Sequence, residues 1–303
     1  MLLDGFDQYA VDNIDPVDID EQHRIPPEVL CDLADMGFFG LSLPESHGGA
    51  GFGLLAVCRA IDRIAQRDRS VATTIGLNLG LGTRGMIAFG NDRVKDRYLP
   101  DLAEGKRIAA FAATEPGAGS DLTGIATRLS ATGGQLSVRG TKIFVTNGGF
   151  ADVFTLLTSS PGLGGAQRGH SLVVMERDDH GLTVGPEEGK LGLRGSSTVS
   201  LHLDDVVVPN DRIIGDAGKG MSHAAHVLAW GRTVMASGCT GAARSALALT
   251  ARHVQHRRQF RKTLGEQPVV REQVAHMAAR LFAMEAMVNH TGVADDPAAL
   301  MRR

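Results

Sequence analysis

QLSVRGTKIFVTNGG, Gln135 to Gly149, alternates around the apolar residues Leu136, Val138, Ile143 and Val145 until a glycine pair ends the run. A period of two marks a strand with one buried face. Between this alternation and its next occurrence lie two short apolar strands, VFTLLTSS (Val153 to Ser160) and HSLVVMER (His170 to Arg177). TVSLHLDDVVVP (Thr198 to Pro209) repeats it at Val199, Leu201 and Leu203. Glycine-rich turns separate these runs, so residues 108–217 are predicted to form an antiparallel sheet, as a small barrel or sandwich.

Outside this block the period becomes helical. PEVLCDLADMGFFG opens on a proline pair and closes on glycine, the start and stop of a short helix. LLAVCRAIDRIAQRD puts Leu54, Val57, Ala60, Ile61 and Ile64 on one stripe with charges opposite. DRVKDRYLPDLAEGK reads as a further helix stopped by Pro100. Beyond the sheet block, Met221 to Gln259 holds no proline and reads as a single long helix. Its small residues Ala236, Gly238, Gly241 and Ala242 would admit a second backbone at close range. A second long helix spaces Val270, Val274, Met277, Leu281, Met284 and Val288 by fours and threes, which is a bundle seam. PAALMRR, with Asp296 as cap and Pro297 in the first position, reads as the start of another helix. The fold class is therefore α+β: an N-terminal helical domain (1–107), a middle β domain (108–217) and about half of a C-terminal helical bundle (218–303). The seam calls for partners, supplied by missing helices or by another chain.

Composition narrows the function. Of 303 residues 43% are hydrophobic, enough for a substantial core, whereas 5% aromatics argue against a base-stacking surface. The net charge of −3 is mixed along the chain and offers nucleic acid or an anionic membrane no basic block. Three cysteines, Cys31, Cys58 and Cys239, are too dispersed for a metal box or a disulfide framework and read as buried free thiols. No metal-ligand spacing appears among the histidines and carboxylates. The N-terminus has no signal-peptide pattern, and no apolar run reaches the ~18 residues of a membrane span, so the expected compartment is the cytoplasm.

The order helices, β domain, long helices, together with TEPGAGSD (Thr114 to Asp121) and FVTNGG (Phe144 to Gly149), resembles the FAD-dependent acyl-CoA dehydrogenase family. LSLPESHGGAGFG, RYLPDLAEGK, KLGLRGSSTVSLHLDDVVVPNDRIIG and RRQF follow in family order across nearly the whole chain. NGGFADVF and MEAM look most like the very-long-chain branch. The resemblance implies an FAD cofactor, an acyl-CoA or acyl-carrier-protein substrate, an electron-transferring flavoprotein as electron acceptor, and a homodimer or homotetramer.

It also implies roles. Phe111 to Ser120 would line the flavin, with Phe111, Ala113, Thr114, Gly119 and Ser120 in contact. Glycines there let backbone N–H groups approach a diphosphate with no Cβ between. Ser120 would also reach the substrate arm. Phe144, Val145 and Thr146 would form a second wall, with Phe144 where most members carry Trp and Thr146 near flavin N5 or O4. Arg257 and Gln259 would reach the FAD of a neighbouring subunit, the forked guanidinium suiting a diphosphate. Ala229, Trp230, Gly231 and Arg232 match the stretch beside the thioester. The catalytic base is unassigned: the family's usual YEGT-like segment is not in this sequence, and Gly231 stands where a minority of members carry a glutamate. Three alternatives stay open: a truncated dehydrogenase, a non-catalytic flavin- or thioester-binding relative, and a subunit completed by a partner chain. An oxygen-using flavin monooxygenase or nitroalkane-type oxidase is a further reading of the same fold.

Overall fold

The computed structural model describes residues 2–132 and 134–295. The helix predicted over PAALMRR with its Asp296 cap lies outside the described residues. The N-terminal helices are α1 (Leu2–Asn13), α2 (Pro16–Gln22), α3 (Pro27–Asp35), α4 (Leu54–Arg67), α5 (Arg69–Leu77), α6 (Arg84–Phe89) and α7 (Asp92–Ala103), with a π-helical turn at Asn78–Gly82 between α5 and α6. The strands follow as β1 (Ala109–Ala112), β2 (Arg128–Thr132), β3 (Gln135–Thr146), β4 (Val153–Ser159), β5 (His170–Glu176), β6 (Leu182–Glu187), β7 (Thr198–Val208) and β8 (Ile213–Ile214). Then come α8 (Gly220–His256), the short strands β9 (Arg258–Gln259) and β10 (Lys262–Thr263), and α9 (Pro268–Asp295).

Local chemistry sets several of these bounds. Pro27 opens α3 and Gly37, at φ 83°, closes its end. Asn91 caps α7, its side chain accepting from the Val94 amide at 2.9 Å. The predicted stop at Pro100 does not occur: α7 runs to Ala103. Proline crowds only the preceding turn, so the residues after it keep their helical bonds until Gly105, at φ 70°, turns the chain.

Two compact units divide the chain, and neither is one consecutive stretch. The first takes residues up to 16, 53–73 and from 233 onward; the second takes 17–52 and 74–232. In the first unit α4 buries Leu54, Leu55, Val57, Cys58, Ala60, Ile61, Ile64 and Ala65, the stripe expected from its spacing. Gly241 of α8 lies where a Cβ would strike the Asp62 carbonyl of α4, and one on Gly292 of α9 would stand 3.0 Å from Leu55 Cα. Small residues therefore do admit close helix contacts here. On α9 the predicted seam is the covered face: Leu281 is buried and Val270, Val274, Met277, Met284 and Val288 are half-buried. Phe282 and Met287 face outward, 74% and 71% exposed. Cys58 is the buried thiol; Cys31 and Cys239 are exposed, against expectation, because they stand on the outer faces of α3 and α8.

The second unit holds the sheet, in the order β6-β7-β3-β2-β4-β5-β8. Its neighbours are antiparallel except that β2 meets β4 in parallel at Arg128 and Ser159, and β1 joins β4 in parallel from Ala109↔Val153 to Ala112↔Leu156. The core of this unit gathers Val138, Val145, Phe154, Leu156, Val173, Met175, Leu201 and Val206. Along β3 the simple alternation fails twice, at register shifts between Val138 and Gly140 and between Lys142 and Val145. Leu136 and Val138 point inward as expected, but the next buried side chain is Lys142 rather than Ile143, and a bulge then restores Val145 to the core.

Candidate functional site

The site grows from the end of β1, whose four residues are all buried. Past Ala113 the chain turns back, the Glu115 amide donating to the Ala118 carbonyl at 2.8 Å and the Ala118 amide to the Glu115 carbonyl at 3.1 Å. Pro116 and Gly117 form the tip, proline fixing φ and glycine tolerating any. A Cβ added to Gly117 or Gly119 would meet nothing within 4 Å, so both backbones face open space. Among the described residues the amides of Gly117, Gly119 and Ser120 make no hydrogen bond within the protein. Open amides, a bare backbone and the exposed Ser120 hydroxyl are the donor set a phosphate-bearing cofactor needs. Phe111 and Ala113 are buried, and Thr114 is half-buried.

A second wall comes from the bulge of β3. Phe144 takes φ 55°, a conformation costly for a non-glycine residue. It is 60% exposed, so the bulge turns an aromatic face out of the sheet. Thr146 is half-buried, whereas the Val145 side chain lies in the core and leaves only its backbone for a ligand. Asn147, at φ 67°, ends the strand and donates from Nδ2 to the Thr74 carbonyl at 3.0 Å.

Three bonds tie the walls together. The Ile143 amide donates to the Thr114 carbonyl at 2.9 Å. Lys142 Nζ donates to the Ala113 carbonyl at 3.1 Å and to Glu115 Oε1 at 2.7 Å. Glu115 in turn accepts from the amides of Ala126 (2.6 Å) and Thr127 (3.0 Å). Both side chains are buried. Burial alone would raise the Glu115 carboxyl, but hydrogen bonds from Lys142, Thr127 and Ala126 hold it below the ordinary glutamate value. Burial lowers the Lys142 ammonium against the pull of Glu115.

The π-helical turn connects this region to α8. Asn78 Oδ1 accepts from the Ala109 amide of β1 at 2.8 Å, and Thr155 of β4 donates to the Gly82 carbonyl at 2.9 Å. Leu81 of the same turn leans over Gly231: a Cβ there would stand 2.8 Å from Leu81 Cγ and closer still to Cδ2. Position 231 is thus filled from outside, which explains why it is glycine. The Arg84 guanidinium stacks 4.9 Å from the buried Trp230 ring, and Ala229 and Arg232 are exposed. Phe111, Ala113, Thr114, Gly119, Ser120, Phe144, Val145, Thr146 and Ala229 to Arg232 therefore share the second unit. Arg257 and Gln259 belong to the first. Both are exposed, at the foot of the β9–β10 hairpin, which Phe260 and Arg261 turn at φ 52° and 65°. Among the described residues no three His, Cys, Asp or Glu side chains gather as a metal site, and no helix is long and apolar enough to cross a membrane.

Family models describe consecutive parts of the chain: the acyl-CoA dehydrogenase N-terminal domain over residues 1–106, the middle domain over 110–206 and the C-terminal domain over 218–299. A probable acyl-CoA dehydrogenase of Mycobacterium bovis is 35% identical over 271 residues, 89% of this chain and 69% of that protein. The chain belongs to the acyl-CoA dehydrogenase family. Its other relatives in the family include a probable acyl-CoA dehydrogenase of Bacillus subtilis, 34% identical over 95% of this chain, and the human mitochondrial very long-chain specific enzyme, 32% identical over 94%. The chain spans about half the length of these two, 48% and 45%. Butyryl-CoA dehydrogenase from Megasphaera elsdenii superposes with a TM-score of 0.92 at 28% identity, over 98% of this chain and 79% of that one. An acyl-CoA dehydrogenase from Bacillus anthracis, solved with FAD, gives 0.88 at 32% identity, over 95% and 50%.

Three features of this acyl-CoA dehydrogenase fold escape a reading of the sequence. They are the burial of Lys142 on β3, its pairing with Glu115, and the approach of Leu81 to Gly231. The usable signal for the first pair is a lysine at an inward position of β3, which demands a buried carboxylate within reach.

Proposed function

We propose that this chain binds FAD and takes part in the α,β-dehydrogenation of an acyl thioester, carried on coenzyme A or a carrier protein, with the electrons passed to an electron-transferring flavoprotein. The observation that carries the reading is the pair of joined walls. One is a loop with open amides at Gly117, Gly119 and Ser120; the other is a bulge that turns out Phe144 and sets Thr146 beside it. This donor set fits FAD, and the family includes a member solved with that cofactor.

In this reading FAD, when bound, supplies the two-electron acceptor for the β-hydride. The loop amides and Ser120 hold its diphosphate, Phe144 covers one edge of the ring system, and Thr114 and Thr146 offer hydroxyls to its polar rim. Arg257 and Gln259 reach the cofactor of a neighbouring subunit in a homodimer or homotetramer, which works in the cytoplasm. The exposed Ala229 and Arg232 meet the thioester arm, Arg232 through its charge, and Trp230 backs them from the core. Dehydrogenation also needs a carboxylate to take the α-proton, and position 231 does not provide it: glycine has no acid, and Leu81 fills the space a side chain would use.

The test is anaerobic addition of acyl-CoAs of graded length to the FAD-loaded protein. Loss of the flavin absorbance near the visible maximum supports dehydrogenation. The packing over Gly231 removes only one possible base position, which leaves a second reading: a relative that binds flavin and thioester without turnover. It predicts a shifted flavin spectrum with no bleaching.

A further inference from the structure

We infer that Lys142 and Glu115 are a positioning pair that sets the spacing between the two flavin walls, so that the buried charges serve cofactor seating rather than fold stability. The inference rests on the reading above that these walls hold FAD.

A buried ion pair is a weak device for stability. Desolvation of two charges offsets most of their attraction, and apolar residues of similar volume do as well. Lys142 nonetheless stands on the core face of β3, beside the bulge that exposes Phe144. Its ammonium reaches across to the first wall at two points, the Ala113 carbonyl and the Glu115 carboxylate, at 3.1 and 2.7 Å. Glu115 also accepts from the Ala126 and Thr127 amides, which fixes the far end of the same loop. The residues of the cofactor wall, from Thr114 to Ser120, thus hang between a point on β3 and a point ahead of β2. An apolar pair would fill the volume but could not hold the Ala113 carbonyl or draw the 126–127 backbone inward. The direction of these bonds, rather than their energy, is what the pair contributes.

Neither residue is expected to touch the substrate, so the test reads cofactor geometry. Lys142→Met alone leaves a buried carboxylate without its cation, and misfolding would be unsurprising. Lys142→Met with Glu115→Gln removes both charges, while the new glutamine side chain keeps one carbonyl oxygen, which can accept from one of the two amides at Ala126 and Thr127. The double variant is expected to melt within a few degrees of the parent as apoprotein. It should bind FAD at least tenfold more weakly and show a diminished visible circular dichroism band from the bound flavin. A double variant that folds, binds FAD like the parent and gives the same dichroism overturns the proposal. Hydrogen exchange on the unaltered protein gives an answer that no variant needs to fold for. Adding FAD should slow exchange in the 121–132 segment, through the Ala126 and Thr127 amides; unchanged exchange there, with FAD bound, also overturns it. If the parent takes up no FAD at all, the underlying reading fails, and that outcome is distinct from both.

Discussion

The contact between Leu81 and Gly231 makes a double-mutant cycle whose sign can be worked out in advance. Gly231→Ala adds a methyl inside α8, where alanine gains about 1 kcal/mol over glycine in helix propensity. The new Cβ would sit 2.8 Å from Leu81 Cγ and nearer its Cδ2, so the leucine must swing aside. Overpacking of this kind costs about 1–3 kcal/mol, leaving a net loss of about 0–2 kcal/mol. Leu81→Ala alone removes a side chain that is only half-buried, at about 1–2 kcal/mol, below the ~2–5 kcal/mol of a fully buried leucine. Strict additivity would put the double variant at about 1–4 kcal/mol. In the double variant, however, the methyl added at position 231 enters the space that the leucine has left. The clash disappears, the helix gain stays, and the loss shrinks to about 0–1 kcal/mol. The coupling is then at least about 1 kcal/mol favourable, above the ~0.3–0.5 kcal/mol scatter of independent sites. Urea unfolding of the four apoproteins, followed by far-ultraviolet circular dichroism, measures it. Additive losses would refute the claim that Leu81 fills position 231. By the same reasoning Gly231→Glu alone should destabilise the protein and supply no dehydrogenase base.

Other consequences are simpler to check. A thiol reagent at neutral pH should modify Cys31 and Cys239 in the native protein and leave Cys58, whose thiol burial pushes up to about 12, until the chain unfolds; peptide mapping that finds Cys58 labelled early contradicts the packing of α4. Glu115 sits below its ordinary value of 4.5, so its contribution to stability is complete above that pH and is lost as pH falls through the lower folded value. Relative to Glu115→Gln, the parent should therefore lose more stability between about pH 5 and the acid limit of folding, as urea midpoints across a pH series would report (roughly one carboxylate's worth of slope). Asn91→Ala should cost about 1 kcal/mol through loss of the α7 cap, and thermal melting that shows no change would mean the Val94 amide finds another acceptor. Gly241→Ala should cost more than its helix-propensity gain returns, because the obstacle is the Asp62 backbone carbonyl and not a mobile side chain; a urea midpoint at or above the parent's would contradict that close approach.

Much of the architecture is legible because each element advertises its own period. The α4 stripe and the 4–3 seam of α9 follow from side-chain spacing, and the seam emerges as the covered face; α8 follows from a run without proline, but it stops at His256 rather than Gln259, where the chain enters β9. The misreadings share a cause: they depend on partners distant in sequence or on turns that local rules do not see. Pro100 reads as a stop because proline inside a helix commonly ends it, whereas here the residues after it keep their helical bonds and Gly105 makes the turn. Ile143 reads as inward because a bulge shifts parity without changing composition, and the bulge exists where Lys142 must reach Glu115. The parallel pairing of β1 with β4 leaves no trace in four alanine- and phenylalanine-type residues. Of the candidate site, the glycine loop and the FVTNGG wall can be named from motifs, since glycine and hydroxyl residues at fixed offsets have few other uses. Leu81 cannot, because only the fold brings a π-helical turn over Gly231.

Equilibrium titration of the apoprotein with FAD, by quenching of the cofactor's fluorescence, addresses the cofactor crease itself. Saturation near one FAD per chain, abolished when Gly119 is replaced by a bulky residue such as tryptophan, is the predicted result. A parent protein that leaves the FAD emission unquenched at micromolar concentrations would contradict the account at its root.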